Sequence, residues 1–348
     1  MLQHLLFLRP SIEGVSLTTE NIIFKLVYAV SCPLFLAFGV IFYTRVCFTD
    51  AINCVLNSSE SFKVLKAIDS YCLENSYITR DSDDQNDEYS YQRNYQYVGL
   101  FFVVSGALCY LPYVLWEWFE NGLLKSLLQD LASITLVEED KFASQITKLT
   151  TIWRRNRAML ETYAYANILC EACNLFALLV VFALGDIFLD GHFFNITEDA
   201  FPKTAECSWD TGSSSGKGGH VFYVGVCTMN MNYLSEKLFF LAWWWLLCCI
   251  SLSILNLTYR YVLVKNENFR IGMLTQGHCH FLGNVTRCST PSTLSKPEDA
   301  DELDQLQKSV PYLKKIGYGE LFMLKRIQSN VPPYTFGEIL LELDRSNK

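Results

Sequence analysis

Four cysteines in two separate polar stretches carry the most specific chemistry in this sequence. Cys54 and Cys72 lie in the first stretch, and Cys207 and Cys227 lie in the second. In an oxidising compartment, paired cysteines in wet loops become disulfides, which typically stabilise a fold by about 2–4 kcal/mol each. Sequence alone allows three connectivities for four cysteines, so the partners stay open at this level.

The remaining cysteines match no reactive or metal-binding pattern. Six of them fall within apolar stretches: Cys32, Cys109, Cys170, Cys173, Cys248 and Cys249. There a thiol behaves as a small apolar side chain. His278, Cys279 and His280, with Cys288 further on, fit no structural zinc spacing, so we expect no metal. The sequence contains no HExxH, phosphate-loop or nucleophile-elbow motif, and we predict neither an enzyme nor a cofactor.

Four long apolar stretches must position these loops. Residues 26–44, 94–116 and 238–259 contain no charged side chain. Residues 162–185 contain one, Glu171. A helix needs about 20 apolar residues to cross the hydrocarbon core, and there only a helix satisfies its own backbone. The sequence therefore predicts an all-α membrane protein with four transmembrane helices, a helical cytoplasmic domain and any short β-strands confined to the outer loops.

The bulk composition agrees with a membrane protein and gives no sign of nucleic acid. The chain is 51% hydrophobic and 18% charged, below the roughly 25% charge of an average soluble domain. Its net charge is -8, and no basic run with interleaved aromatics occurs. The first apolar run is too long for a signal-peptide core, so we expect no cleaved leader and an uncleaved first span.

The distribution of positive charge predicts the orientation. With four spans, residues 1–25, 117–161 and 260–348 share one side, which carries 20 of the chain's 28 Lys and Arg residues. The positive-inside rule makes that side cytoplasmic. The outer loops are then 45–93 and 186–237, which hold all four loop cysteines. We predict a multi-pass plasma-membrane protein with both termini in the cytoplasm.

Several sequence blocks, collinear over most of the chain, carry a family resemblance. The second span opens on the sequence YQYV at residues 95–98. The other blocks are residues 71–77, 110–112, 115–118, 201–207, 232–239 and 338–343. They resemble the innexins, the invertebrate gap-junction proteins related to pannexins, whose signature is YYQWV. The chain departs from that pattern at Tyr97, where the family has tryptophan, and at Thr49 and Ala51, where it often has Gly and Pro.

The resemblance implies a gap-junction channel subunit. Such a subunit contributes to an oligomeric pore that passes ions and small molecules between adjacent cells. The implied assembly is a homo- or heteromeric ring of roughly six to eight innexin-like subunits, closed by heterologous contacts, set among membrane lipids and docked to a ring in the adjacent cell. The resemblance also implies disulfides between Cys54 and Cys227 and between Cys72 and Cys207.

Candidate pore residues follow from the resemblance and from helical spacing. The resemblance places the N-terminal segment in the pore, so Leu2, His4 and Leu5 are candidates for a cytoplasmic constriction. One helical stripe of the first span faces either the lumen or the second span. Its members are Tyr28, Ser31, Phe35 and Phe38. Pro112 removes a backbone donor within the second span and predicts a kink there.

Two alternative functions stay open, an undocked pannexin-like hemichannel and a non-conducting four-span scaffold. Connexins are disfavoured because they have three cysteines in each outer loop, whereas the second loop here has two. The sequons at Asn57 and Asn195 bear on the hemichannel, since a glycan on a docking rim holds two rings apart. We expect glycosylated Asn195 to favour the undocked state.

The cytoplasmic segments show apolar positions at helical spacing, which predicts helices that pack together. In the middle loop these positions are Leu124, Leu127, Leu128, Leu131 and Ile134. In the tail they are Tyr312, Leu313, Ile316, Leu324 and Ile327.

Overall fold

The computed structural model of the protein describes a large part of the chain. The described residues are 20–48, 52–55, 68–73, 77–79, 89–91, 97–124, 139–191, 193, 201–211, 221–266, 316–331 and 333–347. The helices are α1 (Ile22–Phe48), α2 (Val98–Glu120), α3 (Glu139–Arg155), α4 (Arg157–Phe188), α5 (Asn230–Lys265), α6 (Tyr318–Gln328) and α7 (Pro333–Asn347). The strands are β1 (Asn53–Val55), β2 (Tyr77–Thr79), β3 (Tyr89–Tyr91), β4 (Thr204–Thr211) and β5 (Val221–Thr228).

Helices α1, α2, α4 and α5 are each long and apolar enough to cross a membrane. They coincide with the four predicted spans, and the strands all fall in the predicted outer loops, so the predicted fold class is confirmed. The helix ends differ from the predicted span ends. Helix α5 has 36 residues, about 54 Å of helix, against a hydrocarbon core of about 30 Å. Hydropathy marks where a helix is apolar, whereas its hydrogen-bonded backbone continues into polar surroundings.

The chain forms two compact units. The sheet unit comprises Leu26–Leu111 and Phe176–Ser251, and the tail unit comprises Met1–Lys25, Pro112–Leu175 and Leu252–Lys348. Each of the four long helices has residues in both units.

Phenylalanine rings fill the helical core of the sheet unit. Phe239 of α5 is fully buried, and its ring centroid lies 5.1 Å from those of Phe101 and Phe102 on α2. Phe35 and Phe38 of α1 pack against Phe102 with centroids 6.3 and 5.4 Å away. Aromatic pairs at these separations add to the stability that comes from burying their area. The interior of this unit is therefore a packed core.

Small residues let α1 and α2 approach closely in the sheet unit. A Cβ atom on Gly106 would lie 3.1 Å from the carbonyl oxygen of Cys32, and one on Gly39 would lie 3.3 Å from that of Gly99. A larger side chain would separate the two helices. Such small-residue contacts are typical of helix pairs in membranes.

The five strands that the structure describes form one antiparallel sheet in the order β1-β5-β4-β2-β3. Strands β4 and β5 pair over their whole length, from Thr204 opposite Thr228 to Thr211 opposite Val221. Strand β1 adds to β5, and β2 adds to β4. The sheet thus combines the loop between α1 and α2 with the loop between α4 and α5.

In the tail unit, α3 packs against α7, and α6 packs on the start of α4. A Cβ atom on Gly319 of α6 would lie 2.5 Å from the Cα atom of Glu161 on α4. Glycine is therefore required for this close backbone contact. Of the predicted apolar positions, Leu124, Ile316, Leu324 and Ile327 are buried here, whereas the other six lie outside the described residues.

Candidate functional site

Two disulfides cross-link the loops that form the sheet. Cys54 of β1 lies directly opposite Cys227 of β5 in the register, and their sulfurs are bonded. Cys72, in a short helical segment at 68–73, is bonded to Cys207 of β4. Each bond therefore joins the first loop to the second. This is the connectivity that the resemblance implies.

The disulfides form the centre of a small buried cluster. Ile52 and Ile68 pack against them, and the carboxylate of Asp69 accepts a hydrogen bond of 3.0 Å from the backbone N–H of Cys54. The sulfurs of Cys54, Cys72 and Cys227 lie within 4.8 Å of one another. A thiolate is the form of cysteine that binds metal, so this proximity reflects two neighbouring disulfides and not a metal site.

A buried ion pair joins α4 and α5 in the tail unit. The Arg260 guanidinium donates two hydrogen bonds to the Glu171 carboxylate, from Nε to Oε2 at 3.0 Å and from Nη2 to Oε1 at 2.7 Å. Arg260 is 6% exposed and Glu171 is 3% exposed. A two-pronged contact is the strongest geometry for this pair of side chains. Ionisable groups inside membrane helices are functional candidates by default because they are costly to bury.

Sequence reasoning missed this pair. In the sequence, Glu171 is the single charged residue of the third predicted span, and Arg260 falls one residue beyond the predicted end of the fourth span. The available signal was a single acidic residue in one span and a basic residue at the end of a neighbouring one.

Helix α6 supplies further contacts to the same place. The Phe322 ring lies under two guanidinium groups, with Arg260 Cζ 5.3 Å and Arg326 Cζ 5.1 Å from its centroid. Burial and the charge of Arg260 lower the pKa of Arg326 to about 10. Burial and the charges of Arg260 and Arg326 lower the pKa of Lys325, whose Nζ lies 3.3 Å from the Tyr259 hydroxyl. Arg260, Lys325 and Arg326 thus form a cationic cluster, and the Glu171 carboxylate offsets part of its charge.

The structure places most of the first-span stripe inside the sheet unit. Ser31, Phe35 and Phe38 are 0%, 1% and 8% exposed. The Ser31 hydroxyl accepts a hydrogen bond of 2.8 Å from the Trp245 indole N–H. Association of further subunits around this fold can only reduce these exposures. The structure therefore favours the packing interpretation over the lumen interpretation for these three residues, because their side chains fill the core of the bundle. Tyr28 is half-buried.

Of the remaining site residues predicted from the sequence, the structure describes Pro112 and leaves five others outside the described residues. Pro112 lies inside α2, which continues through it from Val98 to Glu120. Leu2, His4 and Leu5, and the sequons at Asn57 and Asn195, lie outside the described residues.

Four apolar helices, with two connecting loops joined by disulfides into one sheet, define a four-span membrane protein. The family model for innexins matches residues 20–346 of the chain. The chain therefore belongs to the innexin family, whose members are subunits of oligomeric gap-junction channels, and the family prediction is confirmed.

Individual innexins are similar to this chain over most of its length. Innexin inx2 of Schistocerca americana is 23% identical over 373 aligned positions, which cover 96% of each chain. Innexin inx2 of Drosophila melanogaster is 24% identical over 362 positions, covering 94% of this chain and 90% of the relative. Innexin shaking-B of Drosophila melanogaster is 23% identical over 286 positions, covering 73% and 76%.

Proposed function

We propose that the chain assembles with copies of itself or with other innexin-like subunits into a ring whose central pore passes ions and small molecules between adjacent cells. The observation that carries this proposal is the disulfide-linked sheet, which fixes two loops as one rigid platform. Two rings that dock end to end need such a platform, because mobile loops would lose conformational entropy on docking.

The packing of the sheet unit supports a pore formed by several subunits. Phe35, Phe102 and Phe239 are each at most 1% exposed and fill the space between the helices. Among the described residues of one chain, the helices enclose a core of side chains in place of a lumen. A conduction path then requires several copies around an axis, closed by heterologous contacts.

The oriented topology is part of the proposal. The disulfides favour an oxidising, extracellular side for the sheet. Residues 117–161 and both termini are then cytoplasmic, in agreement with the excess of Lys and Arg on that side. Because the proposed pore connects adjacent cells, we place the protein in the plasma membrane at contacts between cells.

For the pore itself, we propose Leu2, His4 and Leu5 as the cytoplasmic constriction and Tyr28 as the candidate lining residue of the predicted α1 stripe. Tyr28→Cys should react with a water-soluble thiol reagent in open channels, because part of its side chain is accessible. Phe35→Cys is the matched control on the same helix and should stay protected, because Phe35 is 1% exposed. Block of current by the reagent is the measurement. Modification of Phe35→Cys with protection of Tyr28→Cys would reverse the assignment.

The undocked hemichannel is the second candidate, and the Asn195 sequon favours it when glycosylated. Junctional conductance between paired cells and dye uptake by single cells separate the two forms. We expect coupling for the native chain, and Asn195→Gln to raise coupling relative to dye uptake if Asn195 carries a glycan. Strong coupling by a chain that is fully glycosylated at Asn195 would contradict this effect of the glycan. Conductance in neither assay would favour a non-conducting scaffold.

A further inference from the structure

Two hydrogen bonds tie the start of α1 to side chains elsewhere in the tail unit. The Asn21 side-chain amide donates to Asn256 Oδ1 of α5 at 2.5 Å. The Arg326 guanidinium of α6 donates through Nη1 to the backbone carbonyl of Glu20 at 2.9 Å. Glu20 and Asn21 are the last two residues before the helix, so residues 1–19 join α1 through this point.

The helix that carries Arg326 is itself firmly placed. Gly319 lies against the backbone of α4 at Glu161, where no larger residue fits. The next residue, Glu320, is 5% exposed and pairs with Arg157 of α4 at 3.1 Å. Its carboxylate also accepts the N–H of Gly317 at 3.2 Å and so caps the start of α6. These contacts leave α6 little freedom to slide or rotate on α4.

Arg326 is suited to act as a fixed donor. Its guanidinium rests on the Phe322 ring, and stacking of this kind orders an arginine side chain before it binds its acceptor. With a pKa of about 10, the group remains protonated at neutral pH. A charged donor to a carbonyl oxygen contributes more than a neutral one.

We propose that Arg326 is a positioning residue, which holds the start of α1 at Glu20 and so couples the C-terminal helix α6 to the first membrane span. The proposal rests on the proposed function for its effect on conduction, since a displaced first span alters conduction only in a protein that forms a pore. Through this coupling, a displacement of α6 in the C-terminal region would alter the position of α1 and so the pore.

Hydrogen–deuterium exchange of the purified full-length protein tests the positioning without requiring conduction. Arg326→Met removes the donor and keeps an apolar stem against Phe322. We expect exchange in peptides covering residues 20–31 to become about tenfold faster, as for loss of a charge-assisted hydrogen bond, with α4 and α7 unchanged. Arg326→Lys keeps the charge but lacks the planar fork, so exchange at residues 20–31 should be intermediate between the native and Arg326→Met rates. The same variant provides the test if Arg326→Met does not fold. Arg345→Met is the control, because Arg345 is an exposed residue of α7 that pairs with Glu342 at 3.4 Å.

Unchanged exchange at residues 20–31 in both Arg326 variants would overturn the proposal. An equal increase throughout α4, α6 and α7 would also overturn it, because it would assign to Arg326 a general structural role. A second readout is the open probability of single channels. We expect Arg326→Met to change it at unaltered unitary conductance and surface expression, and Arg345→Met to leave it unchanged. Faster exchange at residues 20–31 in a protein that conducts in no assay would support the positioning and reject the proposed function.

Discussion

At the scale of single residues, the Glu171–Arg260 pair is the most demanding feature of the chain. Both charges are almost fully removed from solvent, and their desolvation is offset only while the two hydrogen bonds of 3.0 and 2.7 Å are kept. The pair therefore fixes the relative register of α4 and α5 more than it adds to net stability.

Removing one partner should be more damaging than removing both. Glu171→Leu leaves Arg260 buried and unpaired and should cost about 3–5 kcal/mol of stability. The double variant Glu171→Leu with Arg260→Met should recover most of that loss, because apolar groups of similar volume can replace a buried pair. The thermal unfolding midpoint in detergent is the measurement.

Glu342→Ala is the control for this prediction. It breaks an exposed pair with Arg345 and should cost less than about 1 kcal/mol. A double variant less stable than the Glu171→Leu single variant would contradict the interpretation of the pair.

At the scale of helices and strands, the sequence predicted what is encoded locally. Charge-free runs of about 20 residues identify membrane helices reliably because, in lipid, a single apolar segment satisfies its backbone hydrogen bonds within itself only as a helix. The ends of the helices are not encoded in this way, which is why the predicted spans leave Arg260 in the tail and do not indicate its pairing with Glu171. The α1 stripe was ambiguous because large aromatic side chains at helical spacing suit a packed core as well as a lumen.

Contacts between distant segments could not be predicted from local pattern. The pairing of β1 with β5 brings Asn53 opposite Thr228, and such a register depends on the whole fold. The disulfide connectivity was available beforehand through the family resemblance alone. The close contact of Gly319 with Glu161 had no local sequence signal beyond the presence of a glycine.

That glycine contact gives a prediction for α6. Gly319→Val would place side-chain atoms on the α4 backbone, where the Cβ alone would lie 2.5 Å from Glu161 Cα. Overpacking of this kind costs about 1–3 kcal/mol or more, so α6 should detach and the C-terminal region should become sensitive to limited proteolysis. Ser329→Ala, at an exposed residue that ends the same helix, should resist proteolysis like the native chain. Equal resistance of the Gly319→Val variant would show that α6 does not rely on this contact.

At the scale of the whole molecule, the two disulfides determine whether the outer loops act as one body. Peptide mapping without reduction should recover Cys54 linked to Cys227 and Cys72 linked to Cys207. Cys54→Ser should free the Cys227 thiol and lower stability by about 2–4 kcal/mol. Recovery of a Cys54–Cys72 peptide from the native chain would contradict the structure of the sheet unit.

The conductance between two cells that both express this chain is the direct test of a gap-junction channel. We predict a junctional conductance that is absent when one cell of the pair lacks the chain and that falls to background when Cys54→Ser replaces the native chain in both cells at equal surface expression. That dependence follows if the cross-linked sheet is the docking platform. Paired cells that remain uncoupled although the native chain reaches their contact would contradict a junctional channel formed by this chain.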